Sequence, residues 1–248
     1  MELRLFRADL HIHTCLSPCG ELSMSPRAVV AKAREAGLDM LAVTDHNTTG
    51  NVASIMQAAA GSPLAVLPGI ELTTSEEVHI LGLFDRDADL AGLQEAVDRN
   101  LPDIPSLRKF IKDQVLVDAD DFVTGFSPRS LFGATRLSVR QAVDLVHSYG
   151  GLTLACHVDR EAFSLISQLG FIPPDLPLDA VEISARLTAA EGRRRFGPFG
   201  ALPVVRFSDA HKPEEIGAAA TEFLAAGPDL EEFRLALAGA RGRRIMTA

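Results

Sequence analysis

"RADLHIHTCLSPCG", residues 7–20, is the stretch on which the reading of this chain turns. Its first half closes the run "LRLFRADLHI", a strand pattern. At the end of that run His11 and His13 stand one residue apart. Side chains on a strand alternate with period two, so this pair shares one face and can grip one ion from the same side. Its second half leads into a turn that carries Cys15 and Cys19. Three readings compete there: a metal ligand, a disulfide, or small residues filling a turn. Which one holds depends on the other histidines of the chain.

Working outward, seven more segments of strand length follow: "DMLAVTDH", "LAVLPGIEL", "VHILGLF", "LTLACHV", "AVEIS", "PVVRFSDA" and "TEFLAA". Between them lie amphipathic segments of helix period. The first, "SPRAVVAKAREAGL", opens with Ser25 as a cap and Pro26 at the first helical position. "TGNVASIMQAAAG", "SVRQAVDLVHSYGG" and "DLEEFRLALAGA" read the same way. Such alternation implies parallel strands with helices outside, as an α/β barrel or a doubly wound sheet. Residues 85–136 break the rhythm. They are polar, hold "NLPDIPSL" and "GFSPRSLFGATR", and read as an inserted helical lobe over one end of a single domain spanning 1–248.

Composition narrows the class. Apolar residues make up 47% and charged ones 23%, ordinary values for a globular domain. Lys and Arg total 24 against 33 Asp and Glu, a formal charge of −9, which argues against binding nucleic acid through bulk charge. Three cysteines in a chain of this size point to a reducing compartment. The start "MELRLFRADL" lacks the apolar core of a signal peptide, and no apolar run is long enough to span a bilayer. The expectation is a soluble cytoplasmic protein without membrane contact.

The chain has seven histidines. His147 falls mid-helix, while His11, His13, His46, His79, His157 and His211 are read at or just past the C-terminal ends of strands, the rim where α/β barrels bind ligands. Asp9, Asp45, Glu71, Asp159, Glu182 and Asp209 accompany them. Taken singly each has an ordinary explanation; Asp45, for one, reads as a cap for the helix after "TDHNTTG". Together they point to a metal site, and imidazole with carboxylate suits Zn, Mn or Fe better than Ca or Mg.

In this order the motifs "DLHIHT", "AVTDHN", "GIELTT" with "VHILGLF", "ACHVD" and "SDAH" followed by "IG" resemble the PHP family, named for polymerase and histidinol phosphatase. The resemblance runs from Asp9 to Gly217 and implies a distorted (β/α)7 TIM-like barrel whose metal centre, of two or three divalent ions, lies at the C-terminal rim. It implies that His11, His13, Glu71 and Asp209 hold a first ion. Glu71 would bridge to a second ion on His79 and His157, and His46 and His211 would serve the remaining one. Many relatives place an Asp or His shortly after the histidine pair, where this chain has "SPCG". Pro18 cannot ligate, which leaves Cys19 or Glu21.

A metal-dependent phosphoesterase is therefore expected, with a hydroxide formed between the ions as nucleophile. His211, Asp159 and Glu182 are the candidates to protonate the leaving oxygen. Arg160 and Arg186 are candidates to hold a phosphate, and the "RRR" run at Arg193–Arg195 reads as a solvated helix face. A small phosphomonoester, a nucleotide or histidinol-phosphate-like, is the leading substrate. The alternatives are a nuclease acting on single-stranded RNA or DNA and a non-catalytic, metal-stabilised scaffold. One Tyr and no Trp weigh against the nuclease, because strand binding uses aromatic platforms in basic grooves.

Overall fold

The computed structural model describes residues 2–103, 114–196 and 202–247. Seven strands make the barrel wall, paired in this order: β1 (Arg4–Ile12), β2 (Met40–Val43), β3 (Ala65–Thr73), β4 (His79–Leu83), β7 (Leu152–Ala155), β8 (Ala180–Ile183) and β9 (Val204–Arg206). Closure between β9 and β1 comes from a parallel bridge between Ile12 and Ala210, where the His13 N–H donates to the Ala210 carbonyl at 3.0 Å. The lower half of the same edge of β1 is taken by β10 (Thr221–Ala225), antiparallel, and β11 (Arg244–Thr247) extends it. One edge of β1 thus serves two partners, so the barrel closes only at its upper rim.

Not all wall strands are parallel. β4 runs against both neighbours, because residues 74–78 are too short for a crossover and can only turn a hairpin. His79 is the first residue of β4 rather than the last of a strand, which corrects its expected place. The reversed direction still brings it to the upper rim.

β1 shows how the histidine pair is aimed. Phe6, Ala8 and Leu10 pack with residues such as Leu67, Leu154 and Phe207 inside the barrel, whereas Ile12 packs outside against the helical layer. The alternation slips between Asp9 and Ile12, where three residues of β1 span two of β2. This bulge turns His11 and His13 inward above Leu10, a familiar use of bulges beside active sites.

Outside the wall lie α1 (Pro26–Glu35), α2 (Val52–Ala58), α4 (Val139–Ser148), α5 (Leu165–Leu169), α6 (Ala189–Phe196) and α7 (Leu230–Leu237). Ser138 and Gln141 form a full capping box on α4. Ser25 sits at the N-cap of α1, but its hydroxyl makes no capping hydrogen bond; Pro26 starts the helix.

The insert is not purely helical. It holds α3 (Leu90–Asn100), capped by Asp89, then an antiparallel ribbon of β5 (Val115–Val117) and β6 (Val123–Phe126). Residues 104–113, including the end of "NLPDIPSL", lie outside the described residues. The Asn51 side chain pins the ribbon through the Val115 carbonyl and the Val117 N–H. Its return loop is tied to the barrel by Asn47, whose amide donates to the carbonyls of Leu131 and Gly133.

Candidate metal centre

Glu71, on β3, lies at the middle of the upper rim and is 1% exposed. Five imidazoles face it: His79 Nδ1 at 2.8 Å, His46 Nδ1 at 3.0 Å, His11 Nε2 and His13 Nε2 at 3.3 Å, and His157 Nε2 at 3.4 Å. Asp209 stands opposite, 3.0 Å from His13 Nε2 and 3.3 Å from His11 Nε2.

The outer side of each ring tells which nitrogen is free. His11 Nδ1 lies 2.8 Å from Glu182 Oε2, so it carries the proton and donates. The Ser17 hydroxyl gives its only proton to Asp45 at 2.6 Å and must accept from His13 Nδ1 at 2.9 Å. His211 Nδ1 donates to the Asp209 carbonyl at 2.8 Å. In all three rings the neutral form then aims the Nε2 lone pair inward, and for His11 and His13 that lone pair meets carboxylate oxygens. Lone pair against carboxylate is repulsive unless a proton or a metal ion lies between. Both Glu71 oxygens, His11 Nε2, His46 Nδ1 and His79 Nδ1 are buried without a hydrogen-bond partner among the described residues. The residues therefore fit metal ions: hard and borderline donors, converging, with outer partners that orient each ring.

Ligand-type atoms fall into groups lying within 4.8 Å of one another. His11, His13, Glu71 and Asp209 form one; His46, Glu71 and His79 form another; Glu71, Cys156 and His157 a third. His13, Cys19, His46 and His211 form a fourth. Cys19 is exposed, and Gly20 explains how it reaches the rim: a Cβ at Gly20 would come 2.2 Å from the Thr14 carbonyl, so only glycine closes the two successive turns of residues 14–20. No disulfide forms, since all three cysteines are free. Cys15 packs under the ribbon against Val115 and Val117.

The electrostatics follow from crowding charge in a dry site. Burial opposes the charged form of His13, but the Asp209 and Glu71 carboxylates outweigh it and push its pKa up to about 9. His46 is also raised to about 9 against burial, with Glu71 as the largest favourable partner. Burial lowers His79 to about 4, and burial with the neighbouring His13 does the same to His211. Burial opposes ionisation of Glu71 and Asp209 too, yet the surrounding imidazoles hold both well below the carboxylate range.

Several residues sit elsewhere than sequence reasoning suggested. Asp45 caps no helix: its oxygens accept from the Thr14 N–H and hydroxyl and from Ser17, locking the loop behind His13. Glu182 is fully buried beneath His11. Asp159 spends both oxygens on the N–H and hydroxyl of Ser184. Arg160 does reach the centre, with Nη1 at 2.6 Å from Asp209. Arg186 lies further out, and His147 pairs with Asp179 on the flank.

The pocket over the centre, of about 310 Å3, brings in residues with no motif to announce them: Phe163 stacked on His79 at 4.7 Å between centroids, and the insert loop with Phe132. Glu77, His157, Phe163 and Asp209 line it with positive φ (28–59°). Such backbone is sparsely populated by residues other than glycine and gathers at functional sites.

Residues 9–156 match the model of the PHP domain, and residues 201–241 match the one described as PHP-associated. The chain belongs to the PHP family. Within it, the 5'-3' exoribonuclease Rnm of Escherichia coli is 39% identical over 80 residues, 30% of this PHP chain and 26% of the relative. The 3',5'-nucleoside bisphosphate phosphatase of Chromobacterium violaceum is 36% identical over 78 residues, again 30% and 26%. The matches thus span about a quarter of the length of these curated relatives. Among solved structures, the lesion-specific endonuclease PfuEndoQ from Pyrococcus furiosus superposes with a TM-score of 0.72 at 18% identity, over 98% of this chain and 58% of the other. An amidohydrolase from Chromobacterium violaceum with bound sulfate gives 0.60 at 20% identity, over 85% and 89%. At such identities the likeness is one of fold. No helix among the described residues is long and apolar enough to cross a membrane.

Proposed function

We propose that this PHP domain hydrolyses phosphate esters with two or three divalent ions of the Zn, Mn or Fe class. The observation that supports it most is the pair His11 and His13, each with Nδ1 held by an outer acceptor and Nε2 turned onto the carboxylates of Glu71 and Asp209. His11, His13, Glu71 and Asp209 hold the first ion; Glu71, His79 and His157 the second; Cys19, His46 and His211 the third. When bound, the ions supply Lewis acidity toward a phosphoryl oxygen and the attacking water.

The chain's own residues do the rest. Arg160, anchored by Asp209, presents its guanidinium at the pocket wall, where it orients a phosphoryl oxygen. His211 is the one of the three proton-donor candidates that lines the pocket. In a chain holding two ions its Nε2, once it has taken up a proton, is the group placed to pass that proton to the leaving oxygen. Glu182 and Asp159 act as positioning residues, the first on His11 and the second on the loop after β8.

A small phosphomonoester remains the leading substrate class. Nucleotide or strand-end substrates gain one specific support: Phe132, 64% exposed, and Phe163, 40% exposed, stand at the mouth and supply stacking faces that a count of Tyr and Trp overlooks. A panel of phosphomonoesters, nucleotides and 5'-phosphorylated oligonucleotides, assayed with Mn and with Zn, tests the reading. Turnover of at least one class, abolished by chelator and restored by metal, is expected. A fully metal-loaded chain that turns over none of them points to the scaffold reading instead.

A further inference from the structure

At the seam of the barrel β1 changes partners. Its lower residues pair with β10 as far as Ala8, opposite Thr221, and the next contact on that edge is the bridge from Ile12 to Ala210. Asp9 stands in the gap, at the start of the bulge. Two backbone arms part there, one rising from β9 and one descending into β10. Below the fork the Thr221 hydroxyl joins them, accepting the Arg206 N–H at 2.9 Å and donating to the Arg206 carbonyl at 3.0 Å. At the fork itself the Asp9 carboxylate does so. Its Oδ1 accepts the Ser208 N–H at 3.0 Å and its Oδ2 the Gly217 N–H at 2.9 Å. Gly217 has a φ of +75°, and a Cβ on it would come 2.7 Å from the Ala36 Cβ, so the turn that presents its N–H needs glycine. Asp9 is fully buried. Holding a carboxylate out of water is costly, and the two N–H donors offset part of that cost.

We propose that Asp9 is a positioning residue of the metal centre: its carboxylate clamps both ends of loop 208–217 and thereby fixes Asp209 and His211 against His13. Asp9 belongs to none of the ligand groups around Glu71 among the described residues, so its action is indirect. The Ser208 N–H anchored on it immediately precedes Asp209, which is held at φ +51°, a backbone setting that aspartate visits only sparsely. From there the contacts run on at once. The Asp209 carbonyl accepts from His211 Nδ1 at 2.8 Å, and the Ala210 carbonyl accepts the His13 N–H at 3.0 Å. A loop freed at its ends would carry Asp209 and His211 away from His13 together. The ion on Glu71, His79 and His157 draws no ligand from this loop. The aspartate two positions before His11 therefore serves the first and third ions and not the second.

This role presupposes the metal reading, but its first measurement needs neither metal nor substitution. Hydrogen exchange of the metal-free native chain, resolved over residues 207–218, is expected to show the Ser208 and Gly217 amides protected; rapid exchange of both would overturn the clamp. Asp9→Asn keeps the shape, yet its NH2 meets one of the two N–H donors. Exchange over 207–218 should then rise at least tenfold while β2 and β3 stay protected. Competition for Zn against a chromogenic chelator counts the ions and their affinities. In Asp9→Asn the ions that draw on Asp209 and His211 should weaken about tenfold, one ion should keep its parental affinity, and turnover should return when metal is raised. Arg7→Gln supplies the contrast, since Arg7 Nη2 holds the Gly217 carbonyl at 2.7 Å on the same seam without touching the carboxylate. It should lower Tm and leave every ion as in the parent. Parental metal binding in folded Asp9→Asn overturns the proposal. So does equal weakening of every ion, or the same pattern in Arg7→Gln, either of which would make the effect one of general seam stability. A parent that takes up no ion, with exchange still released by Asp9→Asn, would sink the metal reading and leave the clamp standing.

Discussion

Glu182→Ala removes the one acceptor seen among the described residues for the Nδ1 proton of His11, in a place where neither side chain touches solvent. A hydrogen bond to a charged acceptor contributes about 1.5–3 kcal/mol, and loss of an outer partner of a metal-bound histidine typically weakens the metal by about 10–100-fold, or roughly 1.4–2.7 kcal/mol. The 2.8 Å contact and full burial place Glu182→Ala near the upper end. Glu182→Gln keeps an oxygen to accept the proton but loses the charge, and should cost about tenfold. Competition for Zn and Mn against a chromogenic chelator measures both. The reasoning is wrong if Glu182→Ala binds the first ion as the parent does. A pH–rate profile separates this positioning role from acid catalysis. If Glu182 protonated the leaving group, Glu182→Gln would lose one limb of the profile at unchanged metal content. If it only holds His11, the profile keeps its shape and activity returns when metal is raised.

Four further outcomes are expected. Glu71→Gln should lower turnover by orders of magnitude while the barrel stays folded. His147→Ala, on the flank, should cost about 1 kcal/mol of stability through its lost bond to Asp179 and leave kcat within a few-fold; near-normal turnover of Glu71→Gln would remove Glu71 from the centre. In the metal-free native chain a thiol reagent should label Cys19 alone, because burial pushes Cys15 up to about 12 and lifts Cys156 well above the thiol range. Zinc should protect Cys19, and Cys19→Ala should retain about one ion fewer per chain by elemental analysis; labelling indifferent to zinc, with equal metal in both chains, would make Cys19 a bystander. Phe132→Ala should raise KM several-fold for esters with an aromatic group and leave a purely aliphatic ester unaffected, which steady-state kinetics on the pair will show. Equal changes on both esters would mean that the loop acts by shape rather than by stacking.

Much of this was written into short-range pattern. The period-two placement of His11 and His13, the strand-length apolar runs and the spacing of "TDHN", "GIEL", "CHVD" and "SDAH" are local features, and local chemistry ties each to a strand end. Even the reversal of β4 was legible, since "TSEEV" cannot hold a crossover, although the alternation of strands and helices concealed it. The family and the barrel follow from such features because backbone geometry and hydrophobic period act over a few residues.

What belongs to tertiary structure are the contacts between residues far apart in sequence. Glu182 reads as a rim acid until the fold buries it under His11, 171 positions away, and Asp45 reads as a cap until Ser17 turns toward it. No spacing rule could aim β1 through its bulge or bring Phe132 from the insert to the pocket mouth. A side chain's role there is set by which acceptor, ring or cation meets it, and by whether water is shut out. Those conditions exist only once distant segments have packed.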